Sequence, residues 1–284
     1  MKFSEIISDE ENAKGVSRRD ILVKAAQISV VTAVLAAMPG CGGSGNGTST
    51  TTGSGGATAT DVAVLQFALN LEYLEAEFYT YATSGQGIST FGIQTSGIGT
   101  AGATTGGVQT TFTDPRIKAL ANEIAADERS HVTLERGALG AAAVAKPAIN
   151  LAALGSFATQ AEFLALARAF EDTGVSAYGG AAALLSPAVV KVAASILGTE
   201  AYHAGLLRLE VAENNVASKA TDNFDVPPPP TGTQYVCADS QGLTIQRTPR
   251  EVLNIVYAGG VKSGGFFPNG GNLSPSSVPL LGLS

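Results

Sequence analysis

The chain has two histidines, and each follows a glutamate by three residues: Glu128 and His131 in DERSHVTLE, Glu200 and His203 in TEAYHAGLL. In an α-helix, residues three apart share a face, so each pair aims a carboxylate and an imidazole at one point. Two such pairs supply four ligands. A dinuclear metal site needs more, and bridging carboxylates are expected from two further helices, one from each. A chain built around these pairs is therefore constrained to at least four packed helices.

The rest of the sequence supplies those helices. Apolar residues recur with helical period from Val62, giving a first helix over roughly 61–83. A Gly/Thr-rich stretch, 84–112, interrupts and reads as a variable loop with no bearing on the site. TDPR then offers Asp114 or Thr113 as N-cap with Pro115 at the first helical position, opening a second helix to about 143. After a connector of roughly 15 residues, TQAE forms a capping box, Thr159 with Glu162, for a third helix to about 184. Ser186-Pro187 caps a fourth, to about 217. The rhythm of helix, helix, longer crossover, helix, helix is that of an all-α four-helix bundle with one long crossover, here over residues 61–219. Residues 220–284 form a Pro/Gly-rich C-terminal extension. It has a stiff VPPPP segment, one short helix capped by Thr248 and Glu251, and exposed-looking Phe266 and Phe267 in a tail that packs on the bundle or on a partner.

The first and third helices repeat one pattern. Glu72 is followed seven residues later by Tyr79, and Glu171 seven residues later by Tyr178. Seven residues is nearly two turns, so each tyrosine lies on the face of its own glutamate and is placed to hydrogen-bond there. The chain thus reads as a duplicated half, with Glu72, Glu128, His131, Glu171, Glu200 and His203 as metal ligands and Tyr79 and Tyr178 behind them. Mixed carboxylate and imidazole donors suit two iron or two manganese ions better than zinc. Glu75 is a rival to Glu72, but its counterpart in the third helix is Gly174. Glu77 is expected to be solvated, Glu123, Asp127 and Asp172 to be surface charges, and Tyr73, Tyr81 and Tyr202 to be ordinary half-buried aromatics.

Composition removes other classes. The formal net charge is −7, and residues 1–40 are balanced, so the acidic excess lies on the remainder. An acidic body with no basic stripe argues against nucleic acid and anionic membrane surfaces. Cys41 and Cys237 are the two cysteines, too few for a zinc ribbon, a rubredoxin-type electron-transfer module or a disulfide scaffold. The N-terminus reads as an address. Arg18-Arg19 after Ser17 and before the apolar run Ala25–Met38 resembles a twin-arginine export signal within residues 1–40. Cys41 stands where a bacterial lipoprotein signal would place its lipidated cysteine, which would tether the chain to a membrane. A flexible Gly/Ser/Thr tether, 41–60, follows. The expected location is outside the cytoplasm, in the periplasm or at the cell surface.

The four helices with their E, E-x-x-H, E, E-x-x-H set resemble the ferritin-like superfamily. LNLEYLEAEFY, the export signal and the tail GGFFPNGG are similar to the ferritin-like domain family that includes plant desiccation-related proteins and exported bacterial relatives. That resemblance implies a fold and a metal set more firmly than a reaction. Oxidation of ferrous iron or removal of peroxide under stress is the leading expectation, with O2 or H2O2 as partner. A manganese catalase-like reaction and a non-enzymatic surface or desiccation-protection role are the alternatives, and homo-oligomerisation stays open.

Overall fold

The computed structural model describes residues 57–284. The twin-arginine segment, Cys41 and the tether up to residue 56 lie outside the described residues. Four long helices form the body: α1 (Ala59–Ser84), α2 (Pro115–Leu139), α3 (Gln160–Ala181) and α4 (Pro187–Glu213). Three of their starts carry a local side-chain cap, whereas the expected cap of α4, Ser186, makes no side-chain hydrogen bond and leaves Pro187 at the first position as the local signal. Asp114 caps α2 with Pro115 behind it, and Thr159 and Glu162 form a capping box on α3. A capping box the sequence reading missed, Thr58 with Asp61, starts α1 inside the supposed tether. Asp61 also accepts a hydrogen bond from the Ser186 backbone N–H at 2.8 Å, so this cap ties α1 to the start of α4. Gly85, left-handed at φ 75°, ends α1. Single 3-10 turns, Gly140–Ala142 and Ala182–Leu184, continue α2 and α3 to within a few residues of their expected ends.

Helix α1 packs along α2, and α3 along α4. The crossover joining the two pairs is not free. Its strand β2 (Ile149–Asn150) pairs in parallel with β1 (Thr104–Thr105) of the Gly/Thr-rich stretch. A side chain at Gly97 would meet the Ala143 carbonyl at 2.3 Å, and one at Gly102 the Ala148 nitrogen at 2.2 Å. Glycine there lets two backbones lie against each other.

Every residue of α1 from Ala63 to Thr80 is buried, which a four-helix bundle alone does not achieve for an outer helix. The extension supplies the missing cover. Gln66 Oε1 accepts from the Ser274 backbone and from Ser277 Oγ, and Asn70 exchanges hydrogen bonds with the Asn272 backbone at 2.7 and 2.8 Å. Two short helices, α5 (Pro249–Val256) and α6 (Ser277–Leu280), stand where one was expected. Phe266 and Phe267, exposed-looking in the sequence, are each 1% exposed, and of the two placements expected for the tail the structure has it on the bundle. Phe266 lies 5.0 Å from Phe170, itself against Phe78 at 4.9 Å, so the tail's aromatics enter the bundle core. Phe266→Ala should therefore cost about 3–5 kcal/mol in chemical denaturation. A loss below about 1 kcal/mol would mean the tail is not part of the core.

Two expected surface charges are buried instead. Asp172 accepts from Arg208 at 2.7 Å and from Arg168 at 3.3 Å, and both arginines are almost wholly buried. Arg168 continues to Asp225 and Ser218, and Arg208 to the carbonyls of Val226, Gln234 and Tyr235. The charges lock the start of the extension onto α3 and α4. Glu77, 3% exposed, pairs with Lys146 of the crossover at 3.4 Å and accepts from the Ile88 backbone N–H. Among the described residues no helix is long and apolar enough to cross a membrane.

Candidate metal centre

The six expected ligands converge. Glu72 comes from α1, Glu128 and His131 from α2, Glu171 from α3, and Glu200 and His203 from α4. All four carboxyls are 0–1% exposed. His131 Nδ1 lies 3.3 Å from Glu72 Oε2, 3.5 Å from Glu128 Oε2 and 3.3 Å from Glu200 Oε1. His203 Nδ1 lies 3.3 Å from both Glu128 Oε1 and Glu171 Oε2. Nearly all of these buried atoms lack a hydrogen-bond partner: Glu72 Oε2, both oxygens of Glu128, Glu171 and Glu200, and Nδ1 of both histidines. Buried polar atoms are ordinarily satisfied, and so dense a set of orphaned donors to metal, all aimed at one another, fits a cation cluster.

The donors fall into two groups, in each of which the atoms lie within 4.8 Å of one another: Glu72, Glu128, His131 and Glu200, and Glu128, Glu171, Glu200 and His203. Glu128 and Glu200 belong to both. The expectation that bridging carboxylates come from the first and third helices is thus reversed. The motif glutamates of α2 and α4 sit between the two positions, and Glu72 and Glu171 stand at the outer ends. One turn of helix brings each motif histidine to its own side while its glutamate stays central, a placement that spacing alone does not reveal.

The tyrosines are also placed differently. Tyr178 does not serve its own helix's Glu171. Its hydroxyl reaches across the bundle to Glu72 Oε1 at 2.5 Å and to Glu135 Oε1 at 2.9 Å. One hydroxyl hydrogen cannot satisfy two carboxylates, so this arrangement requires a proton on Glu135 or Glu72. Tyr79 lies buried beside Glu171, its hydroxyl 3.5 Å from the Ala167 carbonyl. Asp127, taken for a surface charge, has a 43% exposed side chain but pairs with His203 Nε2 at 3.2 Å. That contact places the Nε2 proton toward Asp127 and leaves Nδ1 for the cluster. Glu123 is exposed as expected, whereas Tyr73 is fully buried and Tyr202 is 76% exposed.

Two buried glutamates belong to the site although the sequence reading did not assign them. Glu135 lies one turn beyond His131, and that i, i+4 spacing was the signal available for it. Glu75 is 4% exposed. A Cβ at Gly174 would fall 2.4 Å from Glu200 Oε2 and 3.3 Å from Glu75 Oε1, so the absent side chain on α3 makes room for both carboxyls.

Left to themselves, these groups share protons rather than all ionise. Burial, then the charges of Glu200 and Glu72, pushes Glu128 up to about 7. Burial, then Glu171, pushes Glu200 up to about 8. Burial raises Glu171 as well. It lifts Glu75 and Glu135 well above the carboxylate range, reinforced by Glu200 and by Glu72 respectively. Glu72 moves the other way: burial opposes its charge, but His131 and the Tyr178 hydroxyl outweigh it. Burial likewise opposes charge on the imidazoles. Glu72 overcomes it at His131 and Asp127 at His203, and both are raised. A cation bound here would replace those protons, which is the ordinary coupling between metal and proton binding.

Residues 60–213 match the ferritin-like domain family. Among curated proteins, the chain is similar to ferritin-like catalase Nec2 of Nesocodon mauritianus, at 26% identity over 266 residues, spanning 75% of this chain and 83% of that protein. No solved structure matches it. The matched span covers more than half of the sequence and contains all six converging ligands, and the chain belongs to the ferritin-like domain family.

Proposed function

We propose that this protein removes hydrogen peroxide at a dinuclear iron or manganese centre held by Glu72, Glu128, His131, Glu171, Glu200 and His203. The observation that carries the reading is the set of buried, unpartnered carboxylate oxygens and imidazole nitrogens pointing into one volume between four helices. The similarity to a protein named as a ferritin-like catalase supports peroxide as the substrate class. A bound pair of iron or manganese ions supplies redox and Lewis-acid chemistry toward peroxide or O2.

Peroxide dismutation also suits the rest of the chain. One H2O2 is oxidised to O2 while another is reduced to two waters, so no separate electron donor is needed. Two isolated cysteines offer no electron-transfer module. The chain's own groups have definable parts. Burial between the helices excludes bulk water, Asp127 fixes the tautomer of His203, and Glu135 and Tyr178 hold a proton beside Glu72. The resemblance of the N-terminus to a twin-arginine signal supports an activity outside the cytoplasm, since that route carries folded proteins and permits loading before export.

The test is metal content by plasma mass spectrometry on protein isolated from its own host without chelators, followed by oxygen evolution from H2O2. Iron or manganese near two per chain and steady O2 release are expected. Loaded protein that releases no O2 and consumes no peroxide would instead support a structural bundle stapled by metal. A folded protein that takes up neither ion would end the metal reading.

A further inference from the structure

The two halves of the site are copies, and the places where the copies differ are informative. Matching Glu72 to Glu171 and Glu128 to Glu200 also matches Tyr79 to Tyr178 and His131 to His203. The same registers set Asp127 against Thr199, Glu135 against Leu207 and Glu75 against Gly174. Asp127 meets His203, Glu135 meets Tyr178 and Glu75 lies beside Glu200 over Gly174, and each of their counterparts lacks a carboxylate.

The consequences fall unequally on the two groups of donors. On the His203 side, Asp127 Oδ2 lies 3.2 Å from Nε2 and anchors the ring with Nδ1 facing Glu128 and Glu171. Glu171, the outer carboxylate there, keeps both oxygens without a partner. On the His131 side, all three carboxylates within ion-pair distance fall on Nδ1, and none anchors Nε2. The outer carboxylate, Glu72, has Oε1 occupied by Tyr178, which Glu135 holds in turn, leaving Oε2 for a cation. On the Glu171 side the counterpart tyrosine, Tyr79, lies beside the carboxylate with its hydroxyl toward the Ala167 carbonyl, and Leu207, in the place of Glu135, gives it no second carboxylate to hold it on Glu171.

We infer that the two metal positions are unequal, the His203 position binding more tightly than the His131 position, with Asp127 and the Tyr178–Glu135 pair as the positioning residues that set the difference. The inference rests on the dinuclear reading above. The His203 position has an oriented imidazole and an outer carboxylate free to bind through two oxygens. The His131 position has an unanchored imidazole and an outer carboxylate free through one. Loss of an outer partner of a metal-binding histidine ordinarily costs about 10–100-fold in affinity.

Cobalt(II) titration of the metal-free full chain, followed by visible absorbance and calorimetry, tests this. Two neighbouring cations repel, which separates the binding steps even in a symmetric site, so the comparison is made between variants that keep one position each. His131→Ala should bind one cobalt at least about tenfold more tightly than His203→Ala. Asp127→Thr, which installs the residue of the other copy at a partly exposed position, should weaken the tight step about 10–100-fold and alter its cobalt spectrum. Tyr178→Phe frees Glu72 Oε1 and should tighten the weak step. Equal affinities in the two histidine variants, or tighter binding in His203→Ala, would overturn the inequality while leaving the dinuclear reading intact. No cobalt uptake by the unmodified chain would overturn both.

Discussion

Glu128→Leu should empty both metal positions at once and yet leave a metal-free protein more stable than metal-free wild type. The first half follows from geometry. Glu128 directs Oε1 toward His203 Nδ1 and Oε2 toward His131 Nδ1, so it is common to both donor groups. Metal content should fall from near two per chain to near zero, and peroxide consumption by more than about 100-fold. Glu171→Leu, which touches one group, should keep about half of the metal. The second half follows from burial. Glu128 is fully buried with neither oxygen hydrogen-bonded. Burying such a group without a hydrogen bond costs about 1–3 kcal/mol, and an apolar side chain of similar size removes that cost. Denaturation of both chelated proteins measures this. A variant that still binds two ions would show that Glu128 is not shared. A metal-free variant less stable than metal-free wild type would show that the carboxyl is satisfied in a way the geometry does not contain.

The chelated wild-type protein should lose stability as pH rises from 5.5 to 8, by at least about 5 °C in Tm. Glu128 and Glu200 are raised to about 7 and about 8 from an ordinary 4.5. A carboxyl raised on folding contributes stability that is complete below its unfolded value and disappears as pH climbs through its folded value. Glu171, Glu75 and Glu135 are raised too and act in the same direction. Both histidines are raised, so their contribution is complete below 6.5 and declines at higher pH, again with the same sign. Glu72, held low, acts in the opposite direction but only as pH falls through and below 4.5. Metal should reverse the trend, because its ligands must give up their protons, so loaded protein gains from rising pH where chelated protein loses. Parallel melting curves for the two forms across this range would refute the proton-sharing account.

These expectations separate what local rules carry from what they do not. A capping box, a proline at the first helical position and an E-x-x-H pair act over at most four residues, and helical geometry is the same in every fold. That is why Asp114, Thr159 and Thr248 cap the helices where the sequence places them, and why the six ligands meet. Charge burial follows no local rule. Glu77 and Asp172 read as solvated because nothing near them in the chain neutralises them completely. Lys146 and Arg208, 69 and 36 residues away, make their burial affordable. Phe266 and Phe267 likewise look exposed until Phe170 and Tyr257 are set against them.

By itself, then, the sequence determined the four helices, their order with one crossover, and which carboxylates and imidazoles face inward. Only the tertiary structure decided which glutamates are common to the two donor groups, which glutamate each tyrosine lies against, and that Glu75 and Glu135 are buried beside them. The physical reason is that helical periodicity specifies the face of one helix, whereas sharing a ligand, crossing the bundle or burying a charge depends on how far apart several helices come to rest.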